Sequence, residues 1–160
     1  MRSILWITLL SASLAAGGCK KKQDDTGNAA TQVKKTAEDV NDQAKDYNKT
    51  VTDKDSTNKD VTEAKGDLQA SKADFNAAKQ KYSVSVKDRL QKLDIRINEL
   101  AQRTDAKSQQ EAADAKARRD AIAAKVDSID TRSTSDWDAF TKDVNDSFDK
   151  LESDVHDDLK

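Results

Sequence analysis

Residues 122–159 read IAAKVDSIDTRSTSDWDAFTKDVNDSFDKLESDVHDDL. Their apolar side chains fall at Ile122, Val126, Ile129, Trp137, Phe140, Val144, Phe148, Leu151, Val155 and Leu159, with Ser133 filling one slot. Steps of three and four bring all of these positions to one face of an α-helix. Two families, Val126-Trp137-Phe148-Leu159 and Ile129-Phe140-Leu151, recur every eleven residues. Eleven residues in three turns is about 3.67 per turn, so the stripe runs nearly straight along the helix. Residues 131–135, Thr-Arg-Ser-Thr-Ser, interrupt it with side chains that compete for backbone hydrogen bonds. Ser135 followed by Asp138 has the spacing of a capping box. One helix is therefore expected to end near Arg132 and a last one to start at Asp136.

Upstream, Val86, Leu90, Leu93, Ile97 and Leu100 follow steps of four and three, the spacing of a coiled coil. Earlier still, Val33, Val40, Tyr47, Val61, Leu68, Phe75 and Tyr82 keep a seven-residue period, thin and filled in with alanine. The seam turns polar at residues 54–58, Lys-Asp-Ser-Thr-Asn, where a turn is expected. Gly66 sits inside the following helix and weakens it by about 1 kcal/mol relative to alanine. Residues 101–121 favour helix but carry no large apolar side chain.

Composition agrees with this pattern. The chain has 160 residues, no proline, 36% charged residues and 35% hydrophobic ones, with aromatics at 4%. Aromatics this scarce, with four glycines and no proline to close turns, rule against an all-β fold. The expected class is all-α: elongated long helices in a coiled-coil or helical-hairpin arrangement. Residues expected to pack the helices together are Leu90, Leu93, Ile97, Leu100, Ile122, Val126, Ile129, Trp137, Phe140, Val144, Phe148 and Leu151. Pairing the stripes about residue 111 matches Leu93 with Ile129, Val86 with Trp137 and Tyr82 with Phe140. That symmetry favours a fold-back over residues 109–113. The rival is one long helix whose stripe is buried by partner chains, since Gln110-Glu111-Ala112-Ala113 favours helix.

No catalytic constellation emerges. One cysteine, Cys19, and one histidine, His156, leave no Cys/His metal set, and the acidic run of the last helix lacks the glycine and spacing of a calcium loop. No glycine-rich phosphate loop is present. We expect no enzymatic activity, cofactor, metal or small-molecule substrate. With 28 basic and 30 acidic residues, no basic field points to nucleic acid. Charge is nevertheless uneven: residues 134–160 hold nine acids and three lysines, net −6, which leaves +4 on the rest of a chain of net −2. An acidic last helix is expected to pack on the basic faces of Arg89, Lys92, Arg96, Arg103, Lys116, Arg118 and Arg119.

The first nineteen residues form an address. Arg2 is followed by an apolar run over residues 4–10 and by small residues from Ala15 to Gly18, then by Cys19. This is the plan of a secretory signal, too short to span a membrane. Small residues leading into a lone cysteine resemble the lipobox of bacterial lipoproteins. The resemblance implies cleavage before Cys19 and its acylation. Lys20, in place of an aspartate, implies sorting to the outer membrane, facing the periplasm. The expected organisation is a signal peptide over 1–18, a lipidated cysteine and flexible tether over 19–30, a heptad region over 31–81 and a helical hairpin over 82–160. Partners would be membrane lipid through Cys19, and this chain or other envelope proteins through the helices.

Two further resemblances concern the body. Tyr82, Leu90, Leu93, Ile97, Leu100, Arg118-Arg119-Asp120 and Ser135-Asp136-Trp137-Asp138-Ala139-Phe140 resemble a family of small bacterial coiled-coil proteins loosely associated with stress responses. A lipidated cysteine, a thin coiled coil and a final lysine resemble the murein lipoproteins, which implies a peptidoglycan link through Lys160. The eleven-residue repeat leaves another alternative, a conditionally folded protector of membranes during desiccation.

Overall fold

The computed structural model describes residues 25–160, which form four α-helices: α1 Asp25–Thr52, α2 Asn58–Ala101, α3 Ala106–Asp127 and α4 Trp137–Asp158. The expected all-α class is what the chain adopts. Cys19 and the signal segment lie outside the described residues. Residues 25–30, expected to belong to the tether, are already part of α1, which begins at Asp25. Thr26 is buried there, and Ala29 and Ala30 pack against the core.

Each reversal is set by local chemistry. Between α1 and α2, Thr57 Oγ1 accepts from Asp60 N at 3.3 Å while Thr57 N donates to Asp60 Oδ2 at 2.8 Å. This reciprocal capping box satisfies donors that the first helical turn would leave orphaned. It fixes the turn expected over residues 54–58. Between α2 and α3, Asp105 caps the new helix by accepting from Ser108 N at 2.8 Å. Between α3 and α4 the chain makes a short 3₁₀ turn, Ile129–Thr131.

The second reversal corrects two expectations. The fold-back is real, and the single long helix is excluded, but the turn occupies residues 102–105 rather than 109–113. Gln110-Glu111-Ala112-Ala113 stays helical, as its propensities favour, and the aspartate cap at Asp105 decides the start. The register shifts with it. Arg119 pairs with Asp94 at 2.6 Å, whereas Ile129 lies by the turn of α2 that holds Lys79, whose Nζ donates to the Asp130 carbonyl at 3.0 Å. Leu93 is fourteen residues further along α2, about 21 Å away along its axis, so the expected Leu93–Ile129 pair does not form. α2 runs unbroken through residues 81 and 82.

At the third reversal α3 ends at Asp127, earlier than Arg132, and the capping box expected from Ser135 and Asp138 is not made. Asp136 occupies the cap position without a side-chain cap bond and instead accepts from Ser133 Oγ at 2.7 Å.

The order of contacts fixes the topology. Ser85 Oγ donates to Thr26 Oγ1 at 3.1 Å, so α1 runs antiparallel to α2 with its start beside Ser85. Contacts between α2 and α4 advance together: Tyr82 with Trp137, Arg89 with Phe148, Arg103 with Leu159. These two helices are therefore parallel, and α3 runs antiparallel to both. The last three helices form a compact body, and α1 lies along α2 and crosses the start of α4 through Lys34–Asp138 at 2.7 Å. Beyond Val40 on α1 and before Phe75 on α2 no residue is buried. That stretch is a two-helix arm whose seam of Ala44, Tyr47, Val61, Ala64 and Leu68 is half covered. A Cβ at Gly66 in this arm would meet no atom within 4 Å, so the glycine answers no packing need.

Two outcomes follow from this topology. In a Cys19→Ser background, cysteines replacing Asp94 and Arg119 should be joined within one chain by a short bismaleimide, independently of dilution, and cysteines at 93 and 129 should not. The caps should respond to acid. Hydrogen bonds from Thr57 hold the Asp60 carboxyl below its ordinary pKa, and those from Ser108 do the same for Asp105. A carboxyl lowered in the folded state stabilises above its unfolded pKa and loses that effect as pH falls through the folded one. Far-ultraviolet circular dichroism should therefore weaken below about pH 4, and weaken less in the Asp60→Asn, Asp105→Asn double variant.

Candidate functional site

Trp137, the first residue of α4, is fully buried, and three other rings surround it. Phe75 meets it edge-on at 6.0 Å between centroids, Tyr82 edge-on at 5.4 Å, and Phe140 at 5.5 Å in a tilted contact. Phe75 and Tyr82 come from α2, seven residues and two turns apart, so one face of that helix presents both. The hydroxyl of Tyr82 and the indole Nε1 of Trp137 are buried and find no hydrogen-bond partner among the described residues. Burial pushes the Tyr82 hydroxyl above its ordinary pKa, so it stays neutral. This zone lies at the end of the body next to the arm, and Phe148 stands eleven residues, three turns, further along α4.

Phe148 belongs instead to a second cluster, built around Arg89. The guanidinium carbon of Arg89 stands 4.5 Å from the Phe148 ring centroid. Its Nε and Nη2 donate to the two Glu152 oxygens at 2.7 and 2.8 Å, and Nη2 also donates to Asp149 Oδ1 at 2.6 Å. The Arg89 side chain is only 11% exposed. A planar fork can bind a carboxylate bidentately while its face stacks on a ring, which lysine cannot do.

The acidic helix packs on basic residues as its charge suggests, with a different roster. Arg89, Arg103 and Arg118 engage α4; Arg118 pairs with Asp154 at 2.7 Å, and Arg103 donates to the Asp158 and Leu159 carbonyls that end the helix. Lys34 and Lys125 also engage α4, the latter through Asp143 at 2.8 Å. Arg119 turns to Asp94 on α2, and Lys92 to Asp88 at 2.7 Å.

All twelve residues expected to pack the helices are buried: Leu90, Leu93, Ile97, Leu100, Ile122, Val126, Ile129, Trp137, Phe140, Val144, Phe148 and Leu151. The structure adds Ala112 and Ala115 of α3, where small side chains let the helix approach its neighbours. It also adds Lys79, 5% exposed, whose ammonium lies 5.0 Å from the Phe75 ring and caps the Asp130 carbonyl. Nothing in the local sequence distinguishes Lys79 from its exposed neighbours; only the reversal at 128–136 brings carbonyls to it.

A groove of about 290 Å³ between α3 and α4 is lined by Glu111, Asp114, Arg118, Asp154, Asp157 and Asp158 over Ala115, Leu151 and Val155. Among the described residues no group of three or more acidic, histidine or cysteine side chains is placed to hold a metal ion. His156 is exposed, and Lys160 is exposed and paired with Asp157 at 2.8 Å. No described helix is long and apolar enough to cross a membrane.

Trp137→Ala and Phe148→Ala should each destabilise by about 3–5 kcal/mol, the range for emptying a large aromatic site. Arg89→Ala should lose about 1.5–3 kcal/mol, the scale of hydrogen bonds to charged groups, and Arg89→Lys should recover little of it. Ser153→Ala on the exposed side of α4 should change little. Urea unfolding followed by circular dichroism measures all four.

No family model, curated protein or solved structure matches the chain.

Proposed function

We propose that this chain is a non-enzymatic, lipid-anchored protein of the bacterial cell envelope, whose helical body has a structural, tethering or stress-related interaction role. The observation that carries the reading is the order of residues before the body: Arg2, an apolar run over 4–10, small residues from Ala15 to Gly18, then the only cysteine, Cys19. A signal segment that ends in a lone cysteine suits acylation there. Several acyl chains, each contributing about 0.8 kcal/mol per buried CH₂, make a lasting anchor where one chain does not. Lys20, Lys21 and Lys22 follow at once, and each contributes about 1 kcal/mol next to anionic headgroups.

The body supports a folded tether in preference to a conditionally folded protector. Trp137, Tyr82, Val144, Phe148 and Leu151 are completely covered by other parts of the same chain. A stripe so occupied is not free to lie in a lipid interface. The ion pairs that hold α4 use up much of the acidic surface that a partner would otherwise meet, which leaves self-assembly and protein contacts to the remaining faces.

The test is Cys19→Ser in cells. The variant should accumulate as an uncleaved or soluble species, leave the membrane fraction and take up no radiolabelled palmitate. A mature-sized variant that still sediments with membranes would refute the anchor.

A further inference from the structure

The described chain starts at a fixed point on the body, since Thr26 is buried and bonded to Ser85. Ser85 stands 16 residues before the end of α2 and 27 after its start, about 24 and 41 Å along the axis. Cys19 precedes Asp25 by six residues, which span about 20 Å at full extension. Neither end of α2 comes within that span. A lipid attached at Cys19 therefore holds the molecule along the flank of α2, which extends beyond the attachment point in both directions.

That flank carries exposed apolar side chains. Val84 and Ile95 are 68% and 61% exposed; among the described residues Val51, on the arm, is the other large apolar side chain so exposed. Eleven residues, three helical turns, separate Val84 from Ile95, so they share one side of α2 about 17 Å apart. Leu90, Leu93 and Ile97, which pack into the bundle, occupy the opposite side of the helix. The acid-rich α4 thus lies across the body from Val84 and Ile95. Lys81, Lys87 and Lys92 are exposed around the pair, as are Asp88, which Lys92 holds, and Glu99. The sequence between Cys19 and the body adds three more lysines. Apolar side chains with six lysines near them against two acids, and with the acid-rich α4 on the opposite side, suit an anionic bilayer surface.

We propose that the outer face of α2 centred on Val84 and Ile95 rests on the bilayer that Cys19 anchors, with the long axis of the body along the membrane plane. The proposal rests on the lipid anchor argued above. Its test is made independent of cellular acylation by coupling the Cys19 thiol to a maleimide phospholipid. The chain from Cys19 onward keeps every described helix and has one tryptophan, Trp137. It is coupled to vesicles of phosphatidylethanolamine and phosphatidylglycerol whose acyl chains are brominated. Trp137→Phe removes the native emission, and Val84→Trp, Ile95→Trp, Ser153→Trp or Val51→Trp then places one reporter on the α2 face, on α4 or on the arm. Should Trp137→Phe lower the melting temperature, the same reporters are read with Trp137 retained, as differences from the unsubstituted chain. Quenching at 84 and 95 should be at least threefold stronger than at 153 and 51. Equal quenching at all four positions, or stronger quenching at 51, would overturn the proposal. So would protection at 84 and 95 that vanishes when the coupled protein is diluted in the bilayer, which would assign the face to a second copy. Palmitate labelling in cells reports separately on the anchor.

Discussion

The packing of Trp137 organises the molecule. The chain has few aromatic residues, and three of them meet this one indole at the start of α4. Rings in edge-on contact contribute about 0.5–1.5 kcal/mol beyond the area they bury. The position matters more than the sum. Phe75 and Tyr82 bring in the long α2, Phe140 fixes the rotation of α4, and Val33, Ala37 and Val40 of α1 close the same cluster. With so little apolar material, separate cores for the two hairpins are not affordable, and one shared zone joins them.

Around that zone charge sets register. Most pairs along α4, such as Lys34–Asp138 and Lys125–Asp143, are substantially exposed and individually weak. Arg89 differs, being nearly covered and held both by two carboxylates and by the face of Phe148. A shift of α4 by one turn would pull Glu152 and Asp149 from the fork and Phe148 from beneath it. Arg103 secures the far end through carbonyls left open by the end of the helix, where a positive charge also favours the helix dipole. Together these contacts select one alignment of a helix whose apolar stripe alone is compatible with several.

Much of this was legible in the sequence. The three-four stepping of Leu90, Leu93, Ile97, Leu100 and of the last helix marked residues that are buried, because burial on one face is what such stepping encodes. The break at 54–58 was legible because serine, threonine and asparagine stand where the seam needs apolar residues. The turn at 102–105 was not. Its only mark is a single aspartate cap, and symmetry of the stripes pointed eight residues further on, to a stretch that is itself a good helix. The symmetry was misleading because the chain reverses twice after residue 101, so α4 meets α2 in parallel. Tyr82 does meet Phe140, at 6.5 Å, but through that parallel pairing. Lys79 and the small pair Ala112 and Ala115 were invisible for a related reason: their roles depend on neighbours that only the third reversal and the packing of α3 supply.

The arm gives the fold an uneven resistance to opening. In the body, seam positions are covered on several sides; between Val40 and Phe75 each helix has one neighbour and no fully covered side chain. Local opening free energies follow such coverage, from near zero where contacts are few up to the global value in the core. The arm is thus a separate cooperative unit of low stability, and it can fray from the Asp53–Thr57 end while the aromatic zone stays closed. Mechanical load or heat would be taken up first as unwinding at that tip, which lengthens the chain without releasing α4.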